Sequence, residues 1–333
     1  QSDWQSLAQV LKTWSGQVGA DWRITSKDTL SASFQYRESD SYITRSIFSA
    51  VYGTGATGGA TFTQGAATGV GSVGQGNGAN QDILTATSQA GLKYRHRADV
   101  WRLESSFNWS LAESQWLDIS RGHFNTTPAT IASLIVRGDG TPASSGIIPT
   151  RYTAVSRTGA PVDIFDGGNY SITSGNSLEN DYNAEKLAGR ADLTRDFAWK
   201  VPVSLRTGVA VDRMERDNRR FLQTWNFRPN GATDVTSRLA GGFDVFDEAY
   251  NRDAPTIYAQ PMRWISPAKL YELFQARPQL FVLDEALAHQ NRVTNSRRLI
   301  ETISAAYVRS DVRLFNSRLW IVTGVRFEKT EDE

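Results

Sequence analysis

The 333-residue sequence contains no cysteine, and its 36 Lys and Arg nearly cancel its 35 Asp and Glu. Without cysteine there is no disulfide framework, no thiolate metal ligand and no thiol nucleophile. A net charge of +1 removes bulk electrostatic attraction to nucleic acid, so no nucleic-acid partner is expected. No run of about 18 apolar residues occurs, so no helix of this chain is expected to span a bilayer. Methionine is absent from position 1, and no charged-then-apolar leader follows Gln1. No signal peptide is therefore visible.

What the sequence has in quantity is alternation with period two, the mark of a strand with two different faces. Val18, Ala20, Trp22 and Ile24 alternate with Gln17, Gly19, Asp21 and Arg23. After Ser26-Lys27-Asp28 the pattern resumes with Leu30, Ala32, Phe34 and Tyr36. Such a pair of runs joined by a few turn residues predicts a hairpin. A second hairpin has Ala90, Leu92 and Tyr94, a turn near Arg97-Ala98-Asp99, then Trp101, Leu103, Phe107 and Trp109. A third has Leu187, Ala191 and Leu193, then Val203, Leu205, Val209 and Val211. The fourth has Ile303, Ala305 and Tyr307, then Leu319, Ile321, Val325 and Phe327. The expectation is an all-β, antiparallel segment of about eight strands in four hairpins.

Three long segments separate the hairpins, about 38–83, 112–182 and 214–298, rich in Gly, Thr, Ser and Asn or in Arg and aromatics. Loops of this length are rare in compact soluble domains. One of them predicts a helix: Ser266 as cap, Pro267 in its first position, and a stripe of Leu270, Leu273 and Phe274 before Pro278.

An alternating strand suits either a soluble sandwich, with the apolar face as core, or a membrane barrel, with the apolar face toward lipid. Three features favour lipid. Short turns alternate with loops of about 45 to 85 residues, as periplasmic turns and extracellular loops do in outer-membrane barrels. Trp22, Tyr36, Tyr94, Trp101, Trp109, Tyr307 and Phe327 stand near strand ends, where amphipathic rings favour the headgroup level. The polar face carries the charge: Asp21, Arg23, Arg37, Lys93, Arg95, Arg102, Glu104, Arg190, Asp192, Arg206, Asp212, Arg326 and Glu328. A charge facing lipid at the midplane costs about 2–4 kcal/mol.

The runs Gly19-Ala20-Asp21-Trp22-Arg23-Ile24, Asp28-Thr29-Leu30 and Phe34-Gln35-Tyr36-Arg37 resemble barrel hairpins of TonB-dependent outer-membrane receptors. So does Arg313-Leu314-Phe315-Asn316-Ser317-Arg318-Leu319-Trp320 leading into Gly324-Val325-Arg326-Phe327-Glu328. The resemblance is one of hairpin-and-loop texture over most of the chain. It implies a large closed barrel of about 22 strands in the bacterial outer membrane, filled by a plug domain. Its implied role is uptake of a scarce ligand of the siderophore, cobalamin or oligosaccharide class, with energy from the TonB complex acting through the plug. Neither a plug nor a TonB-contacting segment is found near Gln1, and the last residues lack the terminal aromatic of such barrels. The chain is therefore expected to be a run of interior hairpins, residues 1–333 forming one partial barrel whose partners are lipid, plug and a small-molecule ligand. Arg95, Arg102, Glu104, Arg190, Asp192, Arg206 and Arg326 become inner-wall groups that face the plug. A passive porin and a soluble β-rich binding or adhesin module are the alternatives.

Other motifs carry less. Gly69-Val70-Gly71-Ser72-Val73-Gly74 has the letters of a dinucleotide fingerprint, but its Gly/Thr/Ala-rich context lacks the strand and helix and reads as a flexible loop. Arg137-Gly138-Asp139 reads as a solvated turn, and Asp163 and Asp166 beside Gly167-Gly168 as a plain turn rather than a Ca²⁺ loop. His96, His123 and His289 have no metal-ligand spacing, and no cofactor is expected. No nucleophile and base stand out, so no enzymatic activity is expected. The loop candidates for ligand contact are Arg216, Arg219, Arg220, Trp225 and Arg228. Guanidinium forks suit carboxylate or phosphate, and indole suits sugar faces or cations.

Overall fold

The computed structural model describes residues 1–143 and 146–333. Fifteen strands occur among them: β1 (Ser2–Arg23), β2 (Asp28–Val51), β3 (Thr57–Gly58), β4 (Phe62–Gln64), β5 (Gly71–Gln75), β6 (Gln81–Arg97), β7 (Trp101–Trp116), β8 (Ala129–Ala143), β9 (Gly146–Ser156), β10 (Ser171–Ile172), β11 (Ser174–Ala198), β12 (Pro202–Phe227), β13 (Phe281–Leu283), β14 (Arg297–Leu314) and β15 (Leu319–Asp332). Three α-helices join them: α1 (Glu248–Asp253), α2 (Pro267–Ala276) and α3 (Glu285–Asn295). The fold is mostly antiparallel sheet. No described helix is long and apolar enough to cross a membrane.

The eight expected strands are present as β1, β2, β6, β7, β11, β12, β14 and β15, paired in that order as a meander. The expected count of eight is nevertheless wrong, because seven further strands lie in the segments read as loops. The sheet also does not close: β1 pairs only with β2, and β15 only with β14. The short connections, residues 24–27, 98–100, 199–201 and 315–318, all fall at one end of the meander. That placement follows from antiparallel pairing of consecutive strands.

Toward the other end the strands run well past their expected limits, β2 to Val51 and β12 to Phe227. There β5 replaces β6 beside the upper part of β2, and β8 pairs with β5, β9, β4 and β10. Within the segment about 112–182, residues 144 and 145 lie outside the described residues. The hydrophobic core sits in this upper layer, with Phe48, Val73, Phe124, Tyr152, Tyr170, Phe227 and Leu270 all fully or almost fully buried. The long segments thus fold as one packed body. α2 belongs to it: Ser266 caps the helix through Lys269 N–H, and Leu270 and Leu273 are buried. α1 and α3, capped by Asp247 and Asp284, escaped the reading because their stripes are short and polar.

Two of the smaller motifs are placed differently from expectation. Arg137-Gly138-Asp139 is strand, not turn, with Arg137 held to Asp139 at 2.8 Å and lying over the Phe62 ring. Gly71–Gly74 of the glycine-rich run is strand β5, followed by a turn and another strand rather than a helix. Asp163 and Asp166 do cap turns, accepting from Phe165 N–H and Gly168 N–H at 2.9 Å each.

Candidate functional site

Directly paired residues in adjacent strands share a face, so the register lays out both faces of the meander. One row of the polar face reads Arg23, Thr29, Arg95, Glu104, Asp192, Gly208, Tyr307 and Arg326 across all eight strands. The row on one side of it contains Lys93 and Arg190, and the row on the other contains Arg102, Arg206 and Arg309. All seven residues expected on the inner wall therefore fall in three adjacent rows.

Their centre is Asp192, only 3% exposed. Arg190 and the Tyr307 hydroxyl donate to its carboxylate, and Arg206 approaches to 3.5 Å. Lys93 and Arg95 converge on Glu104 from the neighbouring strand. Arg102 forks onto Asp196 at 2.9 Å, and Arg326 onto Glu328 at 2.6 Å. Arg206 and Arg309 are direct cross-strand partners, and the Nε of each lacks an acceptor among the described residues. Like charges set opposite one another repel, so an acceptor placed there from outside the sheet would be favoured.

The row also corrects one strand. Ile303, Ala305 and Tyr307 were placed with the apolar positions of the last hairpin, yet all three take the charged face, where Tyr307 pairs with Gly208 and Arg326. The reason is space: a Cβ on residue 208 would come within 2.6 Å of both Asp192 Oδ1 and Tyr307 Cε1. Glycine leaves the gap in which the ring lies and the hydroxyl reaches Asp192. On β14 the small residues Ser304 and Ala306 and the exposed Val308 take the other face. The text of β14 alternates weakly, which hid this register.

The polar face is also the hollow one. A cavity of about 620 Å³ runs along Gln17, Ser33, Gln35, Gln89 and Asn108, and two smaller hollows lie at Asp192. Gln17, Gln35 and Gln89 are consecutive partners in one row, and their amides have no side-chain hydrogen-bond partner among the described residues. The polar face thus carries an uncharged amide patch on β1, β2 and β6 beside its charged rows.

The opposite face is apolar and bare. One of its rows reads Trp22, Leu30, Tyr94, Ser105, Ala191, Val209, Ala306 and Phe327 without a charge. Val209 is 57% exposed and Phe107 52%. On β11 the outward positions between Glu185 and Arg195 are Leu187, Gly189, Ala191 and Leu193. Ten residues span about 33 Å along a strand, or about 25 Å of height at barrel tilt. Rings with polar tips close the upper edge: Trp109 Nε1 donates to Glu185 at 2.7 Å, Trp14 Nε1 to Glu38 at 3.1 Å and Tyr36 to Glu38 at 2.7 Å. At the lower edge Arg195 lies over Trp101 and Phe197.

The five loop candidates do not form one site. Arg216, Arg219, Arg220 and Trp225 are on strand β12 rather than in a loop, and Arg228 follows it. Arg216 and Arg220 take the parity of the inner face, Arg219 and Trp225 that of the outer. Arg219 pairs with Asp217 at 2.7 Å, Arg228 donates to its neighbour Phe227 O, and Trp225 packs between Phe124 and Phe274. What the sequence did not reveal is a cavity of about 470 Å³ in the upper layer, between β2, residues 76–82 and 121–127, and the stretch 247–268. Its residues come from distant segments that only the packed body brings together. No known family and no curated protein matches the chain.

Proposed function

We propose that the chain forms part of the wall of a TonB-dependent receptor in the bacterial outer membrane. In this reading the meander is embedded with its bare apolar face in lipid and its charged, hollow face toward the lumen. The observation that carries the proposal is the bare apolar face: one of its rows crosses all eight strands without a charge, and each strand has at least four successive charge-free positions on that face, in keeping with the apolar girdle of a barrel. Backbone groups on the free edges of β1 and β15 need partners in hydrocarbon, which further strands of the same barrel supply. The packed upper body forms the extracellular surface that meets the ligand. The inner wall holds a plug domain, with Asp192, Glu104 and the cations around them as its polar contacts. Arg206 and Arg309, each with an unmatched Nε, are the contacts to be met by carboxylates or carbonyls of the plug.

Transport then consists of ligand capture above, displacement of the plug by TonB below, and passage along the amide-lined patch of the wall. No bond of the ligand is broken. The test is reconstitution of the full protein in vesicles, together with uptake in cells with and without the proton-motive force. A closed wall in vesicles and energy-dependent uptake are expected. Open conductance without ligand would make the protein a passive porin, and partition into water without detergent would make it a soluble binding module.

A further inference from the structure

We infer that the 470 Å³ cavity of the upper body is a saccharide site on the outer, lipid side of the wall, separate from the lumen. The inference rests on the membrane reading for its position, not for its chemistry. Strand parity fixes the side. Trp4, Phe48 and Ala50 have the same parity on β1 and β2 as Trp22 and Phe34, and they run into the upper core. On β12, Trp225 and Phe227 share the parity of Val209 and also enter that core. The packed body therefore overhangs the apolar band from above. Tyr42, Thr44 and Ser46, which line the cavity, have this outward parity too. Tyr42 stands four residues above Glu38, about 13 Å along the strand, so the cavity opens at the height of lipid headgroups.

The cavity is built rather than incidental. Gly76 has φ +77°, and a Cβ there would lie 2.0 Å from Thr127 O. The turn is thereby pressed flat against its neighbour. His123, buried, is fixed by Asp82 at 2.9 Å and by Phe124 O at 3.0 Å, and its ring meets the Tyr42 ring edge-on. The Tyr250 hydroxyl bonds Ser46 at 3.2 Å, and Trp264 is stacked on Trp4 and tied to Pro255 O.

The lining chemistry selects the ligand. Tyr42 and Tyr250, both well exposed, offer ring surfaces with polar tips, which fit the C–H faces of a pyranose. Arg121 donates, and Asn80 Oδ1 and Asp247 accept, so hydroxyl groups find both kinds of partner. A phosphate or other compact anion fits worse, since Asp82 and Asp247 offset the nearby guanidinium groups. Two sources carry such sugars to this height: the headgroup of an outer-leaflet glycolipid and a free oligosaccharide.

The test titrates the purified full protein, in a sugar-free detergent, with rough lipopolysaccharide and with the core oligosaccharide freed of its acyl chains. Native mass spectrometry reads binding for wild type, Tyr250→Ala and Tyr42→Ala. Saccharide binding by wild type with at least a tenfold loss in both variants is the expected result. Binding of intact lipopolysaccharide alone assigns the site to a lipid headgroup, and equal binding of the acyl-free sugar assigns it to a soluble glycan. If neither probe binds, or if both variants bind like wild type, the inference is overturned. A protein that binds the acyl-free sugar but refuses to enter vesicles would sink the receptor reading and leave this site standing.

Discussion

At the residue scale the least exchangeable position is Gly208. Valine there would push its Cβ into Tyr307 and Asp192, both 2.6 Å away, and lift the tyrosine hydroxyl off a carboxylate that is 3% exposed. Loss of that bond on a buried acceptor costs about 1–3 kcal/mol. Gly208→Val is expected to lower the urea midpoint of the full protein accordingly. Adding Tyr307→Phe to it should cost little more, because the same bond is already gone. Full additivity of the two would show that the gap and the ring are unrelated. A second buried carboxylate, Asp118, gives a pH dependence. It is 2% exposed, and it accepts from Ser177 Oγ, Leu178 N–H and Ile119 N–H at 2.6 Å each. Burial raises its pKa above the ordinary carboxylate value, outweighing those three donors. The folded state therefore holds the proton at pH values where the unfolded chain has released it. Its contribution is complete below the ordinary carboxylate pKa and is lost as pH rises through the raised one. Melting of the upper body, followed by fluorescence of Trp225 and Trp264, should fall across that window in wild type but not in Asp118→Asn. Parallel slopes would remove Asp118 as the cause.

At the scale of elements, helix α2 shows how local signals act. Ser266 Oγ accepts from Lys269 N–H, and Pro267 opens the helix. Ser266→Ala should cost about 1 kcal/mol and loosen the upper body, because Leu270 and Leu273 hang from this helix into the core. A melt unchanged within error would mean that packing alone sets the helix start. This helix was legible because cap, proline and stripe occur together within nine residues, Ser266 to Phe274. The eight long strands were legible for a similar reason, since two unlike environments on opposite faces force a period of two. Strands such as β3, β4, β10 and β13, of two or three residues each, are too short to show any period. All but β3, which pairs with its near neighbour β4, exist through pairing with segments far off in sequence, as β13 does with β12. The core of the upper body was hidden likewise. Phe124, Tyr152, Tyr170 and Phe227 are single rings in polar text, and only tertiary pairing gathers them. The charged face was legible on every long strand but β14, and its centre was not. Gly208 reads as one more small residue until Tyr307 is seen across from it.

For the whole molecule, the question is which solvent each side of the meander meets, and one pair of substitutions separates the answers. Val209 lies in the outward band and is 57% exposed. Ala188 lies on the inner face, opposite Asp212, where the 620 Å³ hollow leaves room for a long side chain. Surrounded by water on both sides, an arginine at either position would be close to neutral, since neither displaces a packed neighbour. With the band in hydrocarbon the two must differ. Val209→Arg then places a guanidinium near the bilayer midplane at a cost of about 2–4 kcal/mol, whereas Ala188→Arg gains a carboxylate partner in an aqueous lumen. Urea unfolding of the full protein from phospholipid vesicles should give a large loss for the first and almost none for the second. Equal effects would mean that the two faces meet the same solvent. The receptor reading would then fail at its foundation, because the charged wall would no longer enclose a lumen.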